Sequence, residues 1–386
     1  DSLFSWKRIV QFLVPGIRYF SEVVRLSSKI SLLLSYMPSF IHGHRLRKAT
    51  GSSIDQIASF LWLSTFKKVA FTSDDLLLLL DSSWHLPIEK AIEELRDLGC
   101  AVGCVTYDLI PVTHPRFCVE PLVDCFITWQ KNIVPLSDFF ISISKAVSDD
   151  MEQFVESLES DEGPRERIFD YFHLGSDFGI SLNDDHEFHE IRPELKEIFS
   201  DGSENIYLMV GTIEPRKNHP FALNAFFKMW EEGARSKLCI IGRVGWKCEE
   251  FLEMVGASVY KDKNLFLFND LSDSELKFAY SRGRALIFPS YVEGFGLPIV
   301  EALTNGMDVF ASDIKVHREI GRDDCFYFSL DEPSSLIELV KEYELPSSPL
   351  KSIERPEYCP LSWRESTLEL FEKIKRIQDS LRVQGQ

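Results

Sequence analysis

Two acids, Glu293 and Glu301, bracket the chain's most chemically loaded stretch, Ser290-Tyr-Val-Glu-Gly-Phe-Gly-Leu-Pro-Ile-Val-Glu301. The run before it, Arg284-Ala-Leu-Ile-Phe-Pro289, has the continuous apolar character of a buried strand, and Ile299–Leu303 has helical spacing. The stretch therefore reads as a strand-to-helix turn. Gly294 and Gly296 let the backbone around Phe295 and Leu297 approach a ligand closely. Pro298 suits a helix's first turn. The helix start offers unpaired N–H groups and a positive dipole end, which suit a diphosphate. Glu293 lies at the loop tip, and Glu301 about two turns down a helix of roughly 3.6 residues per turn.

Other loops supply what that turn lacks. In Gly211-Thr-Ile-Glu-Pro-Arg-Lys-Asn218, Gly211 and Thr212 form the exit from a strand, and Arg216 and Lys217 are adjacent cations. Arginine forks onto phosphate oxygens, and lysine acts as a point charge. Gly242-Arg243-Val-Gly245, Asn269-Asp-Leu271-Ser272 and Ala311-Ser-Asp313 also follow apolar runs, and the loop at Leu271 suits backbone contact with a flat base. Cations, glycine loops and a helix N-terminus at one sheet edge make a diphosphate site, and carboxylates beside them can grip hydroxyls of ribose and sugar. Together they imply a nucleotide diphosphate sugar as co-substrate. There is no Asp-x-Asp, so neither a catalytic metal nor another cofactor is expected.

Positioning these loops requires a strand–helix alternation, and the chain shows it twice. Strands are expected at Leu76–Leu80, Cys100–Thr106, Asp138–Ser142 and Ile168–Leu174, with helices at Ile88–Leu98, 119–133 and Lys145–Leu158. Residues 5–40 are apolar with interspersed Lys and Arg and read as helices. A polar stretch over 175–203 reads as a linker with a lead-in helix. The rhythm restarts with strands at Ile206–Val210, Lys237–Ile241, Leu265–Phe268, Ala285–Phe288, Val309–Ala311 and Cys325–Phe328. Ser272 with Glu275 and Ser362 with Glu365 are capping-box candidates, the second opening a last amphipathic helix to about Leu381. The fold class is α/β: two Rossmann-like domains facing a central cleft, over 1–175 and 204–361, joined by 176–203. The closing segment 362–386 is expected to pack back toward the first domain.

Composition narrows the partners. At 386 residues with net charge −18, nucleic acid is excluded as a partner. Residues 1–48 are the exception, with eight Lys and Arg side chains against Asp1 and Glu22. Such a basic, apolar segment suits either peripheral contact with anionic lipid or a helical cap on the first domain. The cysteines include no CxxC pair and read as reduced, cytoplasmic thiols. No apolar run approaches the ~18–20 residues of a membrane span, and no signal-peptide pattern is present. The start at Asp1 rather than Met leaves open whether residues precede it.

Val210-Gly-Thr-Ile-Glu-Pro-Arg-Lys-Asn218 and Pro289–Glu301 resemble the signatures of the retaining glycosyltransferase family 4, of the GT-B fold; Glu293 to Glu301 matches its E-x7-E motif. The resemblance covers roughly residues 68–375. It implies that Glu293 faces the donor sugar, that Glu301 holds the ribose, and that Arg216 and Lys217 hold the diphosphate, assisted by the N–H groups of Gly294–Leu297. It also implies an acceptor site in the first half, at Tyr107-Asp108 after a strand, where many members carry His-Asp. Asp108 is then a candidate catalytic residue, His114 a substitute for the missing histidine, and Trp84 a stacking surface for a sugar. The Gly-rich loop usual near such N-termini is absent before residue 68.

The motif variants resemble bacterial mannosyl- and rhamnosyltransferases of O-antigen or capsule assembly. GDP-mannose is the first expectation for the donor, with dTDP-rhamnose or a UDP-sugar behind it. A glycan or lipid-linked glycan acceptor would place the work in the cytoplasm, peripheral to the inner face of the membrane. Readings of another class are a nucleotide-sugar epimerase, for which no acid/base set is assignable, and an inactive scaffold.

Overall fold

The structure, a computed structural model, describes residues 9–10, 71–80, 84, 88–158, 166–178, 191–200, 205–352 and 358–384. Most of the basic segment 1–48 lies outside these residues, as do 159–165 and 179–190.

The first half alternates β1 (Ile9–Val10), β2 (Leu76–Leu79), α1 (Glu89–Asp97), β3 (Ala101–Thr106), α2 (Ile110–Thr113), α3 (Glu120–Ile133), β4 (Phe139–Ser142), α4 (Lys145–Leu158) and β5 (Ile168–Tyr171). Its strands pair in parallel in the order β1-β2-β3-β4-β5. β2 and β4 are buried along their whole length, which is why they read as unbroken apolar runs rather than alternating ones.

Residues 9–10 correct the helical reading of 5–40. Ile9 and Val10 pair in parallel with Leu76 and Leu77. Two β-branched residues suit a ladder, and a partner strand far along the chain overrides local spacing.

The second half begins with α5 (Pro193–Ile198), followed by β6 (Ile206–Val210), α6 (His219–Glu231), β7 (Lys237–Ile241), α7 (Glu249–Ala257), β8 (Leu265–Phe268), α8 (Asp273–Arg282), β9 (Ala285–Phe288), α9 (Leu297–Thr304), β10 (Asp308–Ser312), α10 (Lys315–Gly321), β11 (Cys325–Phe328) and α11 (Ser334–Glu344). Its sheet is also parallel, in the order β11-β10-β9-β6-β7-β8. Both halves of the Ser272/Glu275 capping box form at the start of α8.

α5 lies inside the stretch expected as a linker. Its Leu195 and Ile198 are buried, and Arg192 just before it pairs with Glu275 at 2.6 Å and Asp270 at 2.9 Å. That hydrogen-bonded guanidinium draws Glu275 down to about 2.

The last helix, α12 (Trp363–Gln384), starts on the Ser362/Glu365 capping box and returns to the first half. Lys373 Nζ reaches Asp170 at 2.8 Å, Ser366 Oγ donates to the His173 carbonyl, and Gln378 donates to the Asp74 carbonyl. Leu370, Ile374 and Ile377 of α12 belong to one buried cluster with Leu76 and Phe139 of the first sheet and Leu208 and Leu286 of the second. Among the described residues, no helix is long and apolar enough to cross a membrane.

Candidate functional site

In a parallel sheet every strand points the same way, so the loops after β6, β7, β8, β9 and β10 emerge on one edge. The loop after β6 interlocks with its neighbour after β7. Gly211 N–H donates to the Ile241 carbonyl and Ile213 N–H to the Arg243 carbonyl, while Gly242 N–H reaches Phe268 of β8. Thr212 and Arg243 are left exposed at this rim, and Leu271 is half-buried after β8.

Pro215–Lys217 then forms a single 3-10 turn ending at Asn218, whose φ of +52° suits asparagine better than most residues. That turn delivers Arg216 and Lys217 onto Glu293. Arg216 Nη1 stands 2.5 Å from Glu293 Oε2, and Lys217 Nζ stands 2.6 Å from Oε1. The lysine contact is an ion pair by distance but is not aligned as a hydrogen bond, so Oε1 keeps an unfilled acceptor direction. Lys217 Nζ also lies 4.7 Å over the Phe288 ring.

Burial by itself would raise the Glu293 carboxyl, but Lys217 and Arg216 outweigh it and hold it down to about 2. Lys217 is pushed below its ordinary range by the same burial, against the pull of Glu293. The motif acid and the cations are thus one ion cluster rather than separate binding groups. Glu214 completes it, 2.7 Å from Arg216 Nη2.

The turn after β9 is built as the glycines require. Gly296 has φ +102° and caps α9, whose first turn carries Pro298. Gly294 meets the first half: a Cβ there would lie 2.2 Å from the Tyr107 carbonyl oxygen. Ser144 Oγ also donates to the Gly294 carbonyl at 2.8 Å. Asp108 is thereby brought opposite the cluster. Its Oδ1 accepts from Ile110 N–H, burial raises its carboxyl, and Arg216 pulls the other way.

Glu301 is separate from this cluster. Tyr280 of α8, fully buried, donates to its Oε2 at 2.9 Å, and burial raises the carboxyl while that hydrogen bond opposes it. Phe295 is buried against His173, with ring centres 5.8 Å apart. The Tyr107 side chain is exposed, and its hydroxyl donates to the Leu80 carbonyl. His114 is occupied by Thr113 and by a stacked Phe117. Trp84 packs edge-on against Phe126, 5.1 Å between centres. Its neighbours in Asp81–His85 lie outside the described residues.

Several residues of the site carry no sequence signal of their own. His317 of α10 is fully buried beside Phe288; burial lowers it to about 4, so it is neutral. Its Nδ1 faces the Ser312 carbonyl at 3.0 Å, which assigns the proton to Nδ1 and leaves Nε2 an unpartnered acceptor. Ser290 Oγ and Asn218 Nδ2 are likewise buried without partners. Glu319 spans the halves, accepting from Lys145 and Ala146 N–H at the start of α4 and pairing with His173 at 2.8 Å. Trp246 and Lys247 donate to carbonyls of Phe117 and Cys118.

Residues 191–345 match the family Glycosyl transferases group 1. The chain is 32% identical over 278 residues to the serotype-specific mannosyltransferase WbdA of Escherichia coli, a match covering 71% of this chain and 34% of that protein. It is 35% identical over 142 residues to the O-antigen chain mannosyltransferase RfbU of Salmonella typhimurium, covering 36% and 39%. It thus spans about a third of the length of WbdA. Among solved structures, Anabaena HepE, crystallised with UDP and glucose, superposes with TM-score 0.55 at 12% identity, over 84% of this chain and 83% of that one. The sheet topology, the loops at its carboxyl edge and these likenesses agree: the chain has two Rossmann-like halves in the GT-B arrangement and contains, at residues 191–345, a glycosyl transferases group 1 domain.

Proposed function

We propose that the chain is a retaining mannosyltransferase of O-antigen-type polysaccharide assembly, moving mannose from GDP-mannose to a hydroxyl of a glycan or lipid-linked glycan. The observation that carries this reading is the Arg216–Glu293–Lys217 cluster, set at the start of α9 with Asp108 opposite. The names of the relatives supply the mannosyl part.

In this reading Arg216 and Lys217 neutralise the diphosphate as it departs, with the N–H groups of Gly294–Leu297 adding preorganised dipoles. Glu293 keeps its charge and aims Oε1 at a hydroxyl of the donor sugar. Glu301, fixed by Tyr280, takes the ribose hydroxyls. The acceptor oxygen attacks the anomeric carbon on the face from which the phosphate leaves. The glycosidic C–O bond to phosphate breaks as the new one forms, and the departing phosphate oxygen takes the acceptor proton. Asp108 orients the acceptor hydroxyl. The work is done on the cytoplasmic face of the membrane, with residues 1–48 against anionic lipid, which vesicle flotation with and without that segment tests.

The decisive experiment is a thermal-shift and hydrolysis screen of GDP-mannose, dTDP-rhamnose and UDP-glucose. GDP-mannose at 100 times its dissociation constant should stabilise the parent protein by about 2.7 kcal/mol. A preference for another donor replaces the mannosyl assignment. If no donor is bound or hydrolysed, the enzyme reading fails.

A further inference from the structure

Arg216 is gripped by two carboxylates, one on each arm of its fork. Nη1 meets Glu293 Oε2 at 2.5 Å, and Nη2 meets Glu214 Oε1 at 2.7 Å. Glu214 precedes Pro215, which keeps it extended at φ −151° and ψ 158°, and the 3-10 turn of Pro215–Lys217 brings Arg216 back to it. Lys217 Nζ stands 2.6 Å from Glu293. Among the described residues, Glu293 thus has two cations in contact and Glu214 one. The side chains of Glu214, Glu293 and Lys217 are buried, and that of Arg216 nearly so. Two acids face two bases, and the cluster as it stands is electrically neutral.

A diphosphate diester brings two negative charges to this neutral cluster. It gains Arg216 only if a carboxylate lets go of the guanidinium, and the two acids differ in what that release leaves behind. Glu293, raised by burial but drawn down to about 2 by Lys217 and Arg216, still has Lys217 when Arg216 turns away. Glu214 is left as a buried carboxylate without a contacting cation. A buried charge in that position is neutralised rather than kept. Burial already raises the Glu214 carboxyl and Glu293 adds to this, while Arg216 and Lys217 oppose it. From the first half, the Cys118 thiol feels both Asp108 and Glu214, and Asp108 feels Arg216 and Glu293. Lys247, in the loop after β7, donates instead to the Arg116 and Cys118 carbonyls.

We propose that Glu214 is a positioning residue acting through Arg216: it holds the guanidinium ready in the empty site, and takes one proton from solvent when the donor's diphosphate draws Arg216 away. The carboxylate becomes a neutral carboxyl, no bond to the donor forms or breaks, and the cluster changes from neutral to a net charge of one positive. The proton returns to solvent when the nucleotide diphosphate leaves and Arg216 swings back. This proposal rests on the reading of Arg216 as a partner of the donor's diphosphate.

The full chain is titrated calorimetrically with GDP-mannose, and with dTDP-rhamnose and UDP-glucose, near neutral pH in buffers of different ionisation enthalpy. The diphosphate diester of these probes has no group titrating near neutrality, so protons taken up on binding go to the protein. The parent should take up between about half a proton and one per donor bound, and its affinity should weaken about three- to tenfold for each unit rise in pH. Glu214→Gln keeps the length of the side chain and an acceptor for Arg216, but cannot be protonated. It should take up no proton and bind with an affinity independent of pH, a change that a purely structural side chain would not produce. Binding by the parent without proton uptake overturns the proposal and leaves the donor reading standing, whether or not the variant folds. Uptake that survives in Glu214→Gln overturns the assignment to Glu214. If none of the three nucleotide sugars binds, the donor reading falls and takes this proposal with it.

Discussion

The two halves share one architecture but build their sites by opposite means. In the second half, the chemistry arrives as contiguous runs at the ends of strands: Arg216 with Lys217 after β6, and Glu293 with its glycines after β9. A parallel sheet gathers such runs at one edge without further instruction. In the first half, a cavity beside Asp108 draws Thr106 from a strand, Asp108 from a loop and Trp129 and Gln130 from the middle of a helix. Residues placed that way look like core until the packing shows an atom with no partner. The difference teaches that an anion site can be assembled from backbone geometry shared by the fold. A cavity walled by side chains from a strand, a loop and a helix has no such shared template.

The comparison breaks most readily at Glu293. Replacing it with alanine strands two buried cations, which should lower stability by about 3–5 kcal/mol and donor hydrolysis by about 10²–10³-fold, read by thermal melts and product release. Glu293→Gln should lose the activity while keeping more of the fold. If Glu293→Ala melts like the parent, the ion cluster is not what holds the second-half site.

Acid should separate the halves next. His219 and His317, ordinarily near 6.5, are held down to about 3 and about 4 chiefly by burial, and both lie in the second half. Below pH 6.5 the unfolded chain takes up protons that the folded chain refuses, so stability falls as the pH drops toward 4. His317 alone should contribute about 3 kcal/mol of that loss, from about 1.4 kcal/mol per pH unit. Glu293, depressed to about 2, adds stability above 4.5 that is lost as the pH falls further. Hydrogen exchange at pH 5 should therefore open the strands of the second sheet first; simultaneous opening of both sheets would contradict this.

Two smaller effects sharpen the division of labour. Tyr280→Phe removes the donor to Glu301 and should raise the KM for the nucleotide sugar about tenfold with little change in kcat. Asp108→Asn should slow transfer by about tenfold and leave donor hydrolysis near the parent rate. Loss of hydrolysis in Asp108→Asn would place that residue with the donor chemistry rather than the acceptor's.

Much of the second half was legible because its determinants are local. β6, β7, β8, β9 and β11 fall where the apolar runs end, and the capping boxes at Ser272 and Ser362 form as their spacing implies. Tertiary pairings were not legible. Nothing local says that Ile9–Val10 joins Leu76–Leu77, so helix-like spacing misled there. Nothing local ties Tyr280 to Glu301 across β9, or Glu319 to the amides that open α4. The adjacency of Arg216 and Lys217 to Glu293 was expected as a shared sheet edge, but direct ion pairing depends on the 3-10 turn at Pro215–Lys217. Trp129 and Gln130 sit on a helix whose apolar stripe conceals them.

Gly294 gives the molecule a further property. The segment that presents Glu293 is also the surface on which Tyr107 rests, with no space for even one extra carbon between them. Any side chain at position 294 would therefore displace the Tyr107 backbone from the loop that carries Glu293. The contact between the halves and the ion cluster thus depend on one loop.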